Sequence, residues 1–166
     1  KALKKAKGKF IVRVDSDDCL KKNFAEIMLR KIRKTNYAFV YPNYHMIDIR
    51  GKFIKNISLP KFNPSEIFKR GDFLASGTVF ARKQIKSLKF YNESNKNSGL
   101  ENYELILKLL LLNKKGRHIK KNLFYYRKHK KNYSLTKRKK IIKYGNLLFK
   151  KLKIGKYIMN QYHPLA

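Results

Sequence analysis

In the first half of the chain, segments whose apolar residues have the spacing of a strand alternate with segments whose apolar residues have the spacing of a helix. The β-branched run at 10–14 predicts a buried strand, and apolar positions three and four apart predict a helix over 23–34. Residues 37–41 predict a second strand, and the segment 45–56 predicts a hairpin that turns near Gly51. This order of strands and helices predicts an α/β domain.

The second half of the chain continues the same alternation. Pro64 begins a predicted short helix, and residues 75–82 predict a strand that follows a turn. A polar stretch at 90–99 predicts a loop. The next helix is apolar nearly all round from Leu105 to Leu112, so we expect it to be buried on most sides.

The end of the chain predicts two extended segments and a basic amphipathic helix. The extended segments are 117–119 and 123–126, and the helix covers 137–154. Its apolar stripe is formed by Ile141, Ile142, Tyr144, Leu148, Phe149 and Leu152. Such a helix either packs on the domain or lies on an anionic membrane surface. We therefore divide the chain into a main unit at 1–135 and a C-terminal helix and tail at 136–166.

The 166-residue chain has the length and hydrophobic content of one globular domain. Its formal net charge of +32 favours an anionic partner: nucleic acid, acidic lipid or a phosphorylated substrate. Cys19 is the only cysteine, which excludes an intrachain disulfide and suits a small core residue in a reducing compartment. No apolar run in the sequence is long enough to span a bilayer.

Three of the ten acidic residues stand within four positions after the first predicted strand: Asp15, Asp17 and Asp18. Carboxylates this close raise one another's pKa unless a cation lies between them. A divalent cation bound through oxygens meets this condition, and open α/β folds place ligands at strand ends. Alternatively, Asp17 or Asp18 caps the following helix, but a cap needs only one carboxylate. The cluster therefore favours a site for a metal or a phosphate ester.

The segment around this cluster resembles a known family. A-K-G-K-F-I at 6–11 and V-D-S-D-D at 14–18 are similar to the middle of the family 2 glycosyltransferases, which have the GT-A fold. The resemblance implies a three-layer, Rossmann-like α/β fold with a mixed, mostly parallel sheet flanked by helices. The family's opening strand, loop and βα unit, which bind the nucleobase, have no counterpart before Lys1, so we expect an N-terminally incomplete domain.

The same resemblance assigns roles to the acidic cluster. It implies a nucleotide-diphosphate sugar donor and Mn²⁺ or Mg²⁺ as the cofactor. The metal would be held by Asp17, with Asp18 beside it, next to the diphosphate. Asp15 would lie near the ribose of the donor.

Two further segments resemble motifs that the family uses around its active site. Residues 75–82 are similar to a strand on the acceptor side, in which Gly77 would allow a ligand close to the backbone. Residues 125–134, Y-Y-R-K-H-K-K-N-Y-S, are similar to the segment that closes over the site. Arg127 and His129 would donate hydrogen bonds to the diphosphate there.

A third motif departs from the family at one position. The family has E-D-x-(D/E)-L at the start of a helix, and its Asp takes the proton of the acceptor hydroxyl, whereas this chain has E-N-Y-E-L at 101–105. Asn102 cannot take this proton, although it can contact substrate. Glu101 is the first candidate for the base and Glu104 the second. Both glutamates also suit the N-terminus of a helix, and loss of activity is the third possibility.

Together these features predict an inverting, metal-dependent glycosyltransferase of cell-envelope polysaccharide or glycolipid synthesis. The acceptor would be a glycan or a lipid-linked sugar, and the protein would be cytoplasmic with peripheral contact at the inner face of an anionic membrane. The alternatives are a basic nucleic-acid-binding protein and an inactive, truncated relative. Nucleic acid is the less favoured partner, because no motif of that class is present and the acidic cluster would repel a phosphate backbone.

Overall fold

The computed structural model describes residues 2–33, 35–74, 76–92 and 97–158. Within them, one sheet contains the strands β1 (Phe10–Val12), β2 (Cys19–Leu20), β3 (Phe39–Ile47), β4 (Phe53–Ile57), β5 (Val79–Ala81) and β6 (Gly116–Arg127). The helices are α1 (Ala2–Lys5), α2 (Phe24–Arg33), α3 (Pro64–Arg70), α4 (Arg82–Ser87), α5 (Glu101–Leu111), α6 (Tyr133–Thr136) and α7 (Arg138–Leu152). The predicted α/β class is confirmed.

Strands β3 and β6 lie at the centre of the sheet and pair in parallel, from Phe39 opposite Gly116 to Ile47 opposite Arg127. The strand order is β1-β5-β3-β6-β2, and β4 pairs with the second half of β3. The mixed sheet is confirmed, but the expected parallel majority is wrong: four of the five pairings between described strands are antiparallel. One reason is local, because a tight hairpin can join β3 and β4 only in antiparallel fashion.

The predicted hairpin is confirmed, and the side chain of Asp48 closes its turn. Asp48 Oδ1 accepts hydrogen bonds from Arg50 N at 2.9 Å and from Lys52 N at 2.8 Å. Gly51 has a φ of +86°, which glycine adopts without steric cost. These contacts fix the reversal of the chain between β3 and β4.

Apolar side chains form a core on each face of the sheet. Helix α2 covers one face, where the core consists of Phe24, Ile27, Met28, Ile32, Val40, Val79, Ile119 and Leu123. The other core joins Phe39 and Tyr41 of β3 to residues of α3, α5 and α7. Successive residues of β3 therefore point into opposite cores, as the period of a strand requires. Helices on both faces confirm the expected three-layer arrangement.

Helices α5 and α7 pack into the same core. Helix α5 is buried over most of its length, as its composition predicts. Helix α7 contributes Ile141, Leu148 and Phe149, and a Cβ at Gly145 would overlap the ring of Tyr157. The apolar stripe of α7 thus faces the domain. Within the residues that the structure describes, no helix is long and apolar enough to cross a bilayer.

The strand predicted at 10–14 is shorter and less buried than expected. It is reduced to β1, and β5 is its partner in the described sheet, so that β1 lies at an edge. Val12 and Val14 are consequently 38% and 37% exposed. Cys19 is also exposed, on β2, so the expectation of a core cysteine is wrong.

Two other boundaries differ from the prediction. The strand expected at 75–82 is reduced to β5, because Arg82 begins α4. The segments 117–119 and 123–126 belong to one continuous strand, β6. Ala75 and residues 93–96 of the predicted loop lie outside the described residues.

Candidate active site

A cleft with a volume of about 620 Å³ lies beside residues 13–18, which we call the acidic loop. Four separate segments supply most of its polar side chains. The acidic loop contributes Arg13, Asp15, Ser16 and Asp17, and the segment before β5 contributes Asp72, Leu74 and Ser76. The start of α5 contributes Glu101 and Asn102, and the segment after β6 contributes His129, Asn132 and Ser134. The fold therefore gathers carboxylates, a guanidinium group and an imidazole from distant positions in the sequence.

Hydrogen bonds hold the acidic loop against the segment before β5. Gly77 N donates to Arg13 O at 3.1 Å, and Asp15 N donates to Ser76 Oγ at 3.1 Å. Asp18 N donates to Asp15 O at 3.0 Å and closes a turn within the loop. This turn directs neighbouring carboxylates in different directions, so Asp15, Asp17 and Asp18 have different partners.

Asp17 faces the cleft and contacts His129. Asp17 Oδ2 lies 2.9 Å from His129 Nε2. His129 Nδ1 accepts a hydrogen bond from Lys131 N at 3.2 Å, which assigns the proton of the neutral ring to Nε2. Asn132 Oδ1 fixes the segment by accepting from His129 N at 2.6 Å. The predicted residues Asp17 and His129 are thus brought together.

Asp18 is buried behind the loop and does not line the cleft. Its Oδ1 accepts a hydrogen bond from Arg127 N at 3.0 Å, whereas its Oδ2 has no hydrogen-bond partner among the described residues. Burial raises the pKa of Asp18 to about 6. Since α2 begins only at Phe24, neither Asp17 nor Asp18 caps it, and this alternative is wrong.

The guanidinium group of Arg127 joins the acidic loop to the hairpin. Its Nε donates to Asp17 O at 2.9 Å, and its Nη1 donates to Asp48 O at 3.1 Å and to Ile49 O at 3.2 Å. Arg127 is not part of the cleft lining. Its observed contacts therefore position Asp17, and a contact with a diphosphate remains a prediction.

Asp15 lines the cleft together with Arg13, which the sequence analysis missed. Arg13 Nε lies 3.0 Å from Asp15 Oδ1, and Arg13 Nη2 donates to Asp15 Oδ2 at 3.2 Å. A charged residue inside an apolar run was the signal for Arg13, because such a residue is buried only where it has a partner.

The start of α5 places its polar residues differently. Glu101 lines the cleft, and its Oε1 accepts a hydrogen bond from Ser98 N at 3.0 Å. Asn102 is 4% exposed, and its Oδ1 accepts from the Tyr91 hydroxyl. Glu104 does not line the cleft; it contacts Lys108 Nζ at 2.6 Å and accepts from the Tyr144 hydroxyl at 2.5 Å. The structure thus separates the two candidate bases.

Asp72 is a second residue of the cleft that the sequence analysis missed. It follows Gly71, which ends α3 with a φ of +75°. Burial raises the pKa of Asp72 to about 7, and the charges of Glu101 and Asp15 add to this rise, while Arg13 opposes it. A single acid between a glycine and two apolar residues gave no signal of this position in the sequence.

Gly77 is required by packing. It has a φ of +83°, and a Cβ at this position would lie 2.8 Å from Cδ1 of Phe124. Gly77 is not part of the cleft lining. Close approach of a ligand to its backbone therefore stays a prediction.

The described residues contain no group of three His, Cys, Asp or Glu side chains arranged to hold a metal ion. Asp17 and His129 are the two potential ligands that meet in the cleft. Mg²⁺ and similar ions bind to nucleotide phosphates through one or two protein ligands, with the phosphates and water completing the shell. The donor set fits a metal of this kind, and does not fit a closed structural site.

Comparison with known families identifies the chain. The model of the family described as "Glycosyl transferase family 2" matches residues 1–106. The chain belongs to glycosyl transferase family 2. The matched range contains three of these four segments of the cleft, up to and including the start of α5.

Curated relatives in this family include proteins of known name. Escherichia coli WfaP, a UDP-Glc:alpha-D-GlcNAc-diphosphoundecaprenol beta-1,3-glucosyltransferase, is 29% identical over 151 residues, covering 89% of this chain and 57% of that protein. E. coli WfgD, with the same activity in its name, is 43% identical over 56 residues, or 32% of this chain and 22% of that protein. An uncharacterized glycosyltransferase of Rickettsia conorii is 38% identical over 33% of this chain and 9% of its own length. The chain spans less than two thirds of each relative.

A solved structure has the same fold. S. aureus TarS 1-349 in complex with UDP-GlcNAc superposes with a TM-score of 0.65 at 15% identity, covering 91% of this chain and 44% of that chain. This likeness confirms the GT-A fold that the resemblance implied.

Proposed function

We propose that this chain contains the metal and acceptor half of an inverting glycosyltransferase, which transfers a sugar from a nucleotide-diphosphate donor to an acceptor hydroxyl. The observation that carries the proposal is the contact between Asp17 and His129 in a cleft that also contains Asp15 and Glu101. The names of WfaP and WfgD support UDP-glucose as the donor and a lipid-diphosphate-linked GlcNAc as the acceptor.

Asp17 would hold Mn²⁺ or Mg²⁺ beside the diphosphate, and His129 would join it as a ligand once Nε2 gives up the proton that it directs at Asp17. Asp18, which is buried behind the acidic loop, would support Asp17 from there through the hydrogen bond that it accepts from Arg127 N. When bound, the metal would neutralise charge on the leaving diphosphate. Arg127 would keep Asp17 in place through its hydrogen bond to the Asp17 carbonyl.

The remaining predicted residues have roles at the two ends of the reaction. Asp15, fixed by Arg13, would accept a hydrogen bond from the ribose of the donor. Glu101, the neighbour of Asn102, which replaces the family's Asp, would stand next to the acceptor hydroxyl. An inverting transfer needs a base on the face of the sugar opposite the leaving group, and a carboxylate in the same cleft meets this requirement.

The basic C-terminal helix would bring the cleft to an anionic membrane. Leu147 of α7 is 57% exposed. The exposed lysines Lys140, Lys143 and Lys151 flank it on the same helix. Lysines near a surface of acidic lipids each contribute about 1 kcal/mol of attraction. We infer that the unit at 136–166 makes this peripheral contact, which suits a lipid-linked acceptor.

Calorimetric titration with UDP, with and without Mn²⁺, tests the proposed site. We expect Mn²⁺ to strengthen UDP binding in the native chain, and Asp17→Asn to lose this gain because one of the two metal ligands loses its charge. Asp48→Asn is the matched control, since the Asp48 side chain closes the hairpin turn through Arg50 N and Lys52 N outside the cleft. A folded chain that does not bind UDP under either condition contradicts the proposal.

Nucleic-acid binding is the second candidate function, and the net charge of +32 is the observation that favours it. Nucleic-acid affinity would fall steeply with salt, because each neutralised phosphate releases counterions. Salt-dependent binding of RNA or DNA together with no binding of UDP would support this candidate over the glycosyltransferase.

A further inference from the structure

The carboxyl group of Asp72 is fixed in the cleft by its neighbours in the chain. Phe73 and Leu74, which follow it directly, are buried in the core. Gly71, which precedes it, ends α3 in a conformation with positive φ. Asp72 lines the cleft, and its Oδ1 is buried without a hydrogen-bond partner among the described residues. This oxygen therefore has an unused acceptor site beside the cleft.

The other carboxylates of the cleft already have partners. Asp15 lies 3.0 Å from Arg13 Nε, and Asp17 lies 2.9 Å from His129 Nε2. Glu101 Oε1 accepts from Ser98 N at 3.0 Å. Ion pairs and donated hydrogen bonds stabilise the charged form of a carboxylate and weaken it as a base. Asp72 also has a hydrogen bond from Leu74 N and the attraction of Arg13, but its burial outweighs both.

We propose that Asp72 is the catalytic base that takes the proton from the acceptor hydroxyl, with Glu101 as the neighbouring charge that strengthens it. This inference rests on the proposed glycosyltransferase function. In the step, the acceptor oxygen bonds to the anomeric carbon while the bond from that carbon to the diphosphate oxygen breaks. The diphosphate leaves with the electron pair of that bond, and the acceptor proton passes to Asp72.

The charges around Asp72 suit this role. Burial raises the pKa of Asp72 to about 7, Arg13 and the N–H of Leu74 oppose the rise, and Glu101 and Asp15 add to it. Burial, and after it the charge of Asp72, raises the pKa of the Tyr103 and Tyr157 hydroxyls, so both stay neutral. A base with a pKa near the working pH combines the ionised form with a strong drive to accept a proton.

The test compares Asp72→Asn with Glu101→Gln in the release of UDP from UDP-glucose, with α-D-GlcNAc-diphosphoundecaprenol as acceptor. We expect Asp72→Asn to lower kcat by about 100-fold or more, with UDP affinity in calorimetry unchanged. Glu101→Gln should lose less and shift the acidic limb of the pH profile to lower pH, because a negative neighbour is removed. Both variants keep the size of the side chain, and thermal unfolding verifies their folding.

Direct titration supplies a readout that does not depend on turnover. In carbon-detected NMR, the carboxyls of Asp18 and Asp72 should titrate at about pH 6 and about pH 7 in the native chain, and the resonance with the higher pKa should be absent from Asp72→Asn. Titration of Asp72 below pH 5 overturns the proposal, as does native-like kcat in Asp72→Asn or complete loss of kcat in Glu101→Gln alone. If the native chain does not bind UDP, the proposed function fails; if UDP binds and Asp72→Asn behaves as native, only the role of Asp72 fails.

Discussion

Asp15 and Asp17 of the acidic loop share one cleft with Asp72, but their carboxylates have different surroundings from that of Asp72. Asp15 and Asp17 each contact a basic side chain, Arg13 and His129. Asp72 Oδ1 is buried and has no hydrogen-bond partner among the described residues. Pairing stabilises a charged carboxylate, whereas burial without a partner favours the protonated form. The acidic loop is thus suited to binding a metal and phosphates, and Asp72 to exchanging a proton.

The difference originates in which segments of the chain meet. The acidic loop is held by the end of β6, the segment after β6 and the segment before β5, which supply Arg127, His129 and Ser76. Asp72 lies between a helix end and two buried apolar residues, a setting that offers few donors. One cleft therefore provides two electrostatic environments because separate segments build them.

Removing the Arg127 side chain, which holds the acidic loop, should have the largest effect on stability. Arg127→Met removes the donors to Asp17 O, Asp48 O and Ile49 O, while it keeps the apolar stem. Hydrogen bonds from a charged donor contribute about 1.5–3 kcal/mol each in net terms, and water replaces part of this. We expect urea unfolding to give a loss of about 3 kcal/mol, together with weaker UDP binding.

Arg127→Lys is the matched variant for this prediction. Lysine keeps the charge, but its ammonium group cannot reproduce the planar geometry that reaches three carbonyl oxygens. It should recover less than half of the lost stability. An Arg127→Met protein as stable as the native chain would mean that the Arg127 side chain contributes little, and that the other contacts of the acidic loop, with Ser76, His129 and Arg127 N, are sufficient to fix it.

Neutralising Asp72 should change stability in the opposite direction. Its pKa is raised from 3.8 to about 7 in the folded protein, so the folded state holds this proton more tightly than the unfolded chain does. Ionisation of Asp72 therefore costs stability, fully above pH 7 and less and less as the pH falls from 7 towards 4. We expect Asp72→Asn to be more stable than the native chain by about 2 kcal/mol at pH 8.

Unfolding by urea at pH 8 and at pH 4.5 measures this difference, which should shrink at the lower pH. Asp48→Asn is again the control, because Asp48 lies in the exposed hairpin turn. A loss of stability in Asp72→Asn at pH 8 would show that the attraction of Arg13 exceeds the cost of burial, and would place Asp72 in the same class as Asp15.

Local patterns predicted much of the fold from the sequence. The hairpin around Gly51, the helix that begins at Pro64 and the apolar helix after Leu100 each depend on residues within a few positions, and all were confirmed. The predicted burial of 10–14 failed, because a β-branched run does not reveal how many strands will flank it. Helix boundaries and turns are local properties, whereas the place of a strand in a sheet is not.

The candidate site divides in the same way. The acidic loop and His129 were found because clustered charges and a motif mark them. Asp72 was missed because its meaning depends on burial and on contact with Arg13 and Glu101, which are distant in the sequence. Glu104 was proposed as the second candidate base after Glu101, but it lies outside the cleft and accepts a hydrogen bond from Tyr144 of α7. The sequence of α5 alone does not predict that contact.

The smallest predicted effect is on metal affinity, and it tests whether His129 contacts the metal or the nucleotide. His129→Gln removes an imidazole ligand and weakens the contact with Asp17 Oδ2, which is 2.9 Å from His129 Nε2. We expect the affinity for Mn²⁺, measured in the presence of UDP, to fall about tenfold, which corresponds to about 1.4 kcal/mol. UDP binding without metal should not change, because Asp15, Asp72 and Glu101 keep their surroundings.

His45→Gln is the control for this measurement, since His45 Nδ1 contacts Asn56 Oδ1 in the hairpin, away from the cleft. If His129→Gln weakens UDP binding equally with and without Mn²⁺, then His129 contacts the nucleotide directly and Asp17 would be the metal's one protein ligand in the cleft. The acidic loop would then hold the metal, and the segment after β6 would hold the phosphates. The proton exchange at Asp72 would be unaffected.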